Sequence, residues 1–191
     1  CISPDSLYIL SASRDKTLKL FRALDGALLH SLRGHDAAVA CCCFSPDGER
    51  ALSASGDGTL RLWRVLDGGL KRALEGHSSA VLLCSFSPDG SRALSASSDR
   101  TVKLWRIADG SLEQTLDVHT DVVSCCCFSP DGSCVLSASL DKTLQLWRLA
   151  SGSVMPLLGH SSFVLCCRFS PDGARALSAS SDHSLKLWRV E

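Results

Sequence analysis

A chain of 191 residues with 45% hydrophobic side chains is long enough to bury a core. Twenty basic residues balance twenty acidic ones, which excludes a global field drawing the molecule to nucleic acid or a membrane surface and leaves charge-driven recognition to local patches. No apolar run approaches the roughly 20 residues of a membrane-spanning helix, and the first residues do not read as a basic region followed by an apolar segment, so a soluble protein is expected.

Cys1 opens the chain and Met155 is its only methionine, which reads as a piece of a longer protein. Eleven cysteines invite a secreted disulfide framework, but the count is odd and eight of them fall in the runs 41–43, 125–127 and 166–167. Neighbouring cysteines on a strand point to opposite faces and staple poorly, so a reducing, cytoplasmic setting is expected, with the nucleus as the alternative.

The chain repeats itself with a period of 42 residues. Ser-Pro-Asp-Gly recurs at 45–48, 87–90, 129–132 and 170–173, with Ser-Pro-Asp-Ser at 3–6. Asp15, Asp57, Asp99, Asp141 and Asp182 keep step, as do Phe21, Trp63, Trp105, Trp147 and Trp188. Residues 34–75 and 76–117 agree at 25 of 42 positions, more than a shared hydrophobic pattern requires. The units are 1–33, 34–75, 76–117, 118–158 and 159–191, the first and last partial.

Within a unit, four short apolar segments are separated by turn chemistry. VACCCF (39–44) precedes Pro46-Asp47-Gly48, RALSAS (50–55) precedes Gly56-Asp57-Gly58, TLRLWRV (59–65) precedes Asp67-Gly68, and LKRALE (70–75) precedes Gly76-His77. Proline presets the entry angle of such turns and glycine supplies positive φ, so the segments read as antiparallel strands. VACCCF is apolar on both faces and is expected between neighbouring sheets. LKRALE is mixed, as suits an outer edge strand. The unit starting at Val118 is one residue short in that outer strand and carries Pro156 there, which an edge tolerates.

Gly-His near the start of a unit, Ser-Pro-Asp-Gly after its first strand, then Leu-Ser-Ala-Ser-x-Asp and Leu-Trp together resemble the WD40 repeat. That resemblance covers nearly the whole chain and implies an all-β fold, a segment of a β-propeller with four-stranded antiparallel blades. It implies a seven- or eight-bladed ring or a longer array, and five whole or partial blades are not expected to close a ring alone. One departure is uniform. The family's Asp after Trp is replaced by Arg64, Arg106, Arg148 and Arg189, with Arg22 after Phe21.

His, Ser and Asp recur together as His35, Ser53 and Asp57; His77, Ser95 and Asp99; His119, Ser137 and Asp141; and His160, Ser178 and Asp182. These are the residue types of a hydrolase triad. Four copies at fixed spacing, each with a Trp six residues after the Asp, point instead to a repeated structural network. The resemblance implies hydrogen-bonded tetrads completed by Trp63, Trp105, Trp147 and Trp188, in which His joins Ser to Trp. Buried polar groups of these kinds are costly unless they satisfy one another. The first unit keeps Ser11 and Asp15 but has Phe21 for Trp and no His, so its network is incomplete.

Cys41 and Cys43 share a strand face near Cys84, Cys125 and Cys127, but zinc-type Cys-x-x-Cys spacing is lacking and core packing is the expected role. Lys19, Arg61, Lys103 and Lys186 lack the interleaved exposed aromatics of a single-stranded nucleic-acid platform. Phosphate-binding glycine loops are also lacking, so no cofactor, metal or catalytic residue is assigned. The resemblance places the second turn and the Gly-His loop on one binding face. There Arg14, Lys16, Arg100, Lys142 and His183 form a candidate basic arc broken by Asp36 and Asp121, suited to an acidic or phosphorylated peptide. The expected function is a protein-interaction scaffold within a larger intracellular protein. The alternatives are the non-catalytic part of an enzyme whose active domain lies elsewhere, or a nucleic-acid binder using the arc.

Overall fold

The turn chemistry of each unit folds the chain into successive antiparallel hairpins. The computed structural model describes residues 1–190 and contains eighteen strands in five sheets. The first sheet holds β1 (Tyr8–Ala12), β2 (Leu18–Arg22) and β3 (Leu28–Leu32), with Ile2 bridged to Ile9. The second holds β4 (Val39–Phe44), β5 (Arg50–Ser55), β6 (Leu60–Arg64) and β7 (Leu70–Leu74). The third holds β8 (Val81–Phe86), β9 (Arg92–Ser97), β10 (Val102–Arg106) and β11 (Leu112–Leu116). The fourth holds β12 (Val123–Phe128), β13 (Cys134–Ser139), β14 (Leu144–Arg148) and β15 (Ser153–Leu157). The fifth holds β16 (Val164–Phe169), β17 (Arg175–Ser180) and β18 (Leu185–Arg189). Strand order follows chain order in every sheet, and β1, β4, β8, β12 and β16 pack in succession.

Ser-Pro-Asp-Gly closes the first hairpin of a sheet through its serine. Ser45 pairs its backbone N–H with Arg50 O at 2.9 Å, and its hydroxyl accepts the Arg50 N–H at 3.0 Å. Gly48 takes φ +73°, the left-handed region that suits glycine, and Ser6 takes φ +61° at the same place in the first unit.

VACCCF lies between the inner strands of the neighbouring sheets, as expected, but it is only partly buried. In β4 only Val39 is fully buried and residues 41–44 are half-buried, whereas all of β5 after Arg50 is buried. The first strand of a sheet is its inner edge and pairs on one side only, while the second strand is hydrogen-bonded to a neighbour on both sides. The outer strand behaves as read, with β7 exposed except at Leu74.

The short unit also has a structural signature. In the complete outer pairings the register slips by one residue opposite the aromatic position, between Leu62 and Trp63 and again between Leu104 and Trp105. The β14–β15 pairing runs from Leu144↔Leu157 to Arg148↔Ser153 without a slip, with Pro156 opposite Gln145. The missing residue is the bulge.

Four apolar seams hold the sheets together, each built alike. Leu52, Leu60, Leu62 and Leu74 of the second sheet meet Val81, Cys84, Ala93, Trp105 and Ile107 from the third. Equivalent sets place Trp63 against the first sheet and Trp147 against the third. Trp188 packs more loosely against the fourth. Burying one such leucine stabilises by about 1.5–3 kcal/mol relative to leaving it exposed.

Candidate functional site

Each tetrad brings together four parts of one unit. His35 lies in the loop entering β4, Ser53 on β5, Asp57 in the turn after β5 and Trp63 on β6. The Trp63 indole N–H donates to Ser53 Oγ at 2.9 Å, and His35 Nε2 lies 2.7 Å from the same oxygen. His35 Nδ1 lies 2.7 Å from Asp57 Oδ2. A ring nitrogen facing a carboxylate must carry the proton, so Nδ1–H donates to Asp57 and Nε2 accepts the serine hydroxyl proton. The node is therefore Ser53, which joins His to Trp. The sequence-based expectation that His joins Ser to Trp is corrected, because the β5 serine lies across the hairpin from the β6 indole.

The carboxylate divides its work. Asp57 Oδ1 accepts the Thr59 N–H at 2.9 Å and the Thr59 hydroxyl at 2.7 Å, closing its own turn. Oδ2 accepts from His35 and from the Asp36 N–H at 3.0 Å, fixing the incoming loop. Thr17, Thr101, Thr143 and Ser184 make the same two bonds to their own Asp. A hydroxyl residue two places after every Asp was the available sequence signal for this contact. Gly76 has φ +154°, and a Cβ there would lie 3.1 Å from the Trp105 ring, so glycine before His77 admits the indole.

His77, Ser95, Asp99 and Trp105 form the same closed chain, as do His160, Ser178, Asp182 and Trp188. The third copy does not close. His119 meets Asp141 and Ser137 at 2.8 Å, but the buried Trp147 N–H has no partner. This is also the sheet whose outer strand lacks the bulge. In the first unit Asp15 binds Thr17 and pairs with Lys19 at 3.5 Å.

Burial disfavours charge on Asp57, but hydrogen bonds from Thr59, His35 and the backbone outweigh it and lower the carboxyl to about 2. Asp99 is likewise lowered to about 2. Burial pushes His35, His77 and His119 below the ordinary imidazole value, against the opposing pull of their aspartates. Each pair is thus neutral imidazole with carboxylate. Ser53, Ser95 and Ser137 are 0% exposed, and each hydroxyl is engaged by histidine, so these serines are enclosed rather than presented to a substrate.

The candidate arc is built differently. Arg14, Lys16, Arg100, Lys142 and His183 are exposed, and none forms an ion pair among the described residues. Lys16, Arg100, Lys142 and His183 take φ +70°, +72°, +75° and +65°, where the second unit has Gly58 at +82°. Asp36 and Asp121 are exposed at the adjoining loops. Of the third-strand cations, Lys19 reaches the second turn of its unit by pairing with Asp15, while two others are drawn inward. Lys103 is buried and donates to Thr115 Oγ1 at 3.0 Å, and Arg61 Nε is buried without a partner. The arginines that replace the family's Asp bind the next turn instead, Arg22 to Asp25, Arg64 to Asp67 and Arg106 to Asp109. Among the described residues no three Cys, His, Asp or Glu side chains are arranged to hold a metal ion.

A family model for the WD domain, G-beta repeat, matches residues 1–22, 26–64, 68–106, 110–148 and 151–189. The chain belongs to the WD40 family. Each full WD40 match straddles two sheets, so that 26–64 takes β3 with β4, β5 and β6. The sheets are propeller-type blades, and WD40 repeats in general serve as protein-interaction scaffolds. No curated protein matches the chain at a significant level.

Replacing Asp99 by Ala leaves the His77 ring, the Ser78 and Thr101 amides and a hydroxyl without their acceptor. Chemical denaturation of Asp99→Ala is expected to show a loss of about 1–3 kcal/mol. An unchanged midpoint contradicts the tetrad's structural role. The titrations add a pH signature. Folded His35, His77 and His119 hold a proton less tightly than the value of 6.5, and folded Asp57 and Asp99 less tightly than 3.8. The unfolded chain then binds more protons, so stability rises with pH in both windows. The histidine contribution is complete above 6.5 and is lost as pH falls below it, and the aspartate contribution is lost between 3.8 and about 2. Melting temperatures should fall between about pH 7 and pH 5 and again below about pH 4. A flat profile across the first interval contradicts the neutral-imidazole assignment.

Proposed function

We propose that this WD40 segment is a non-catalytic protein-interaction scaffold that captures acidic or phosphorylated peptide segments on its arc of second-turn cations. The observation that carries this reading is the backbone at Lys16, Arg100, Lys142 and His183. A left-handed conformation costs a non-glycine residue about 1–2 kcal/mol, and Gly58 shows that the same turn accepts glycine. Basic side chains held there, exposed and without carboxylate partners, suit charge-assisted binding to phosphate or carboxylate oxygens. Free thiols throughout are consistent with a reducing, cytoplasmic or nuclear setting.

The terminal sheets supply a second kind of contact. Leu177, Leu185 and Leu187 are 46%, 69% and 62% exposed, whereas their equivalents Leu52, Leu60 and Leu62 are fully covered by the following sheet. At the other end Ile9 is 37% exposed beside a depression of about 490 Å³ lined by Leu7, Tyr8, Ala23 and Leu24. These faces are the two halves of the seam used four times inside the chain. They are joints for further WD40 blades, either neighbouring blades of the same protein or a second copy.

A degenerate peptide library fixed at phosphoserine, Asp or Ser tests the arc. Phosphoserine and Asp peptides should bind at least about tenfold more tightly than Ser peptides, less so at high salt, and Arg100→Glu with Lys142→Glu should erase the difference. A preference that survives charge reversal refutes the arc. Salt-sensitive oligonucleotide binding without peptide binding assigns it to nucleic acid instead. For the end faces, light scattering of the isolated chain should show association that Leu185→Asp weakens. A monomer that melts cooperatively contradicts the joint.

A further inference from the structure

The inner strands carry a thiol arrangement that neither the tetrads nor the arc uses. Between the second and third sheets, Cys41 and Cys43 on β4 face Cys84 on β8. Cys43 Sγ lies 4.0 Å from Cys84 Sγ, Cys41 Sγ lies 3.8 Å from Cys84 O, and Cys84 Sγ lies 4.0 Å from Cys41 O. Between the fourth and fifth sheets, Cys125 and Cys127 meet Cys167 in the same register, at 3.6 Å and 3.7 Å from its carbonyl oxygen. The third sheet interrupts the series, with Leu83 and Ser85 at the positions of Cys41 and Cys43. The result is a group of three thiols at the first of these seams and of four at the second, where Cys166 Sγ also lies 4.0 Å from Cys125 Sγ.

The first cluster has the parts of an oxidation site. Cys43 is half-buried and lines an open cavity of about 480 Å³ at the end of the inner strands, together with Phe44, Phe86 and Phe128. Cys84 is buried and pressed against two sulfur-bearing neighbours. The Cys84 thiol also lies 3.7 Å from the Leu52 carbonyl oxygen, which holds its sulfur beside Cys43. The 4.0 Å sulfur separation has to shorten to the roughly 2.05 Å of a disulfide.

We propose that Cys43 and Cys84 are a dithiol oxidation site, forming a disulfide between the inner strands of adjacent blades when a small peroxide enters the cavity. Cys43 sulfur attacks one peroxide oxygen and the O–O bond breaks. The departing hydroxide takes the Cys43 proton and leaves as water, and Cys43 becomes a sulfenic acid. Cys84 sulfur then attacks Cys43 sulfur, the S–O bond breaks and the S–S bond forms. The Cys84 proton leaves with the hydroxyl as a second water. Two electrons pass from the dithiol to the peroxide, and the product covalently joins two blades that otherwise meet only by packing and hydrogen bonds.

Hydrogen peroxide treatment of the folded chain, alkylation of the remaining thiols and unreduced peptide mass spectrometry test this. The expected product links the peptide of residues 41–43 to that of Cys84, two hydrogens lighter than the separate thiols, with fragmentation placing the bond on Cys43. Dithiothreitol should restore both thiols. The link should disappear in Cys43→Ser and persist in Cys42→Ser. If either variant fails to fold, the fragmentation of the unsubstituted protein decides. Complete alkylation of Cys84 after peroxide, oxidation of Cys43 only to sulfinic acid, or a link that survives Cys43→Ser overturns the proposal.

Discussion

The structure depends on a carboxylate shared between two backbone segments. In each complete unit one oxygen of the aspartate closes the turn after the second strand, and the other holds the loop that arrives from the preceding sheet. The histidine on that loop passes the constraint to a serine on the second strand, and the serine passes it to an indole on the third. The indole in turn lies in the seam with the preceding sheet. A hydrogen-bond chain inside one sheet thereby sets the position of the largest side chain between two sheets. Removing one member of a buried chain leaves the others unsatisfied, which explains why residue types suited to hydrolysis serve here as a frame.

The frame separates what is constant from what varies. Three of the seams repeat the meeting of leucines with Val, a second small apolar residue (Ala51, Ala93 or Val135) and an aromatic. At the second turn, Asp and the hydroxyl two places on are required by the hydrogen bonding, while the position between them is exposed in every unit but the second, where Gly58 is buried against the backbone of His77 and Ser79. That position holds Lys16, Gly58, Arg100, Lys142 and His183. A rigid turn with an exposed position suits a recognition surface, since its side chain is placed by a backbone that binding need not rearrange.

Much of this was legible in the sequence because repetition supplies its own control. Strand number and turn positions followed from the period and its turn residues, and the identity of the tetrad residues from the resemblance to the WD40 repeat. Other features were hidden where the answer depended on three-dimensional distance. Ser53, not His35, is the meeting point because a hairpin brings the β5 hydroxyl across to the β6 indole, a relation that linear spacing does not reveal. The half-exposure of β4 follows from its inner-edge position, which hydrophobicity cannot distinguish from the centre of a sheet. The lone deletion in the unit starting at Val118 was visible, but its consequence was the loss of a bulge and not a simple shortening of the strand. Gly58 was the one clue that the basic residues at equivalent positions adopt a left-handed backbone.

Nitrogen-resolved NMR of the imidazole rings, combined with hydrogen exchange of the indoles, tests the shared-carboxylate account most directly. At neutral pH it predicts His35 and His77 as neutral rings protonated at Nδ1, with Trp63 and Trp105 indole protons protected from exchange. Doubly protonated imidazoles, or indole exchange at the rate of a free side chain, would contradict it.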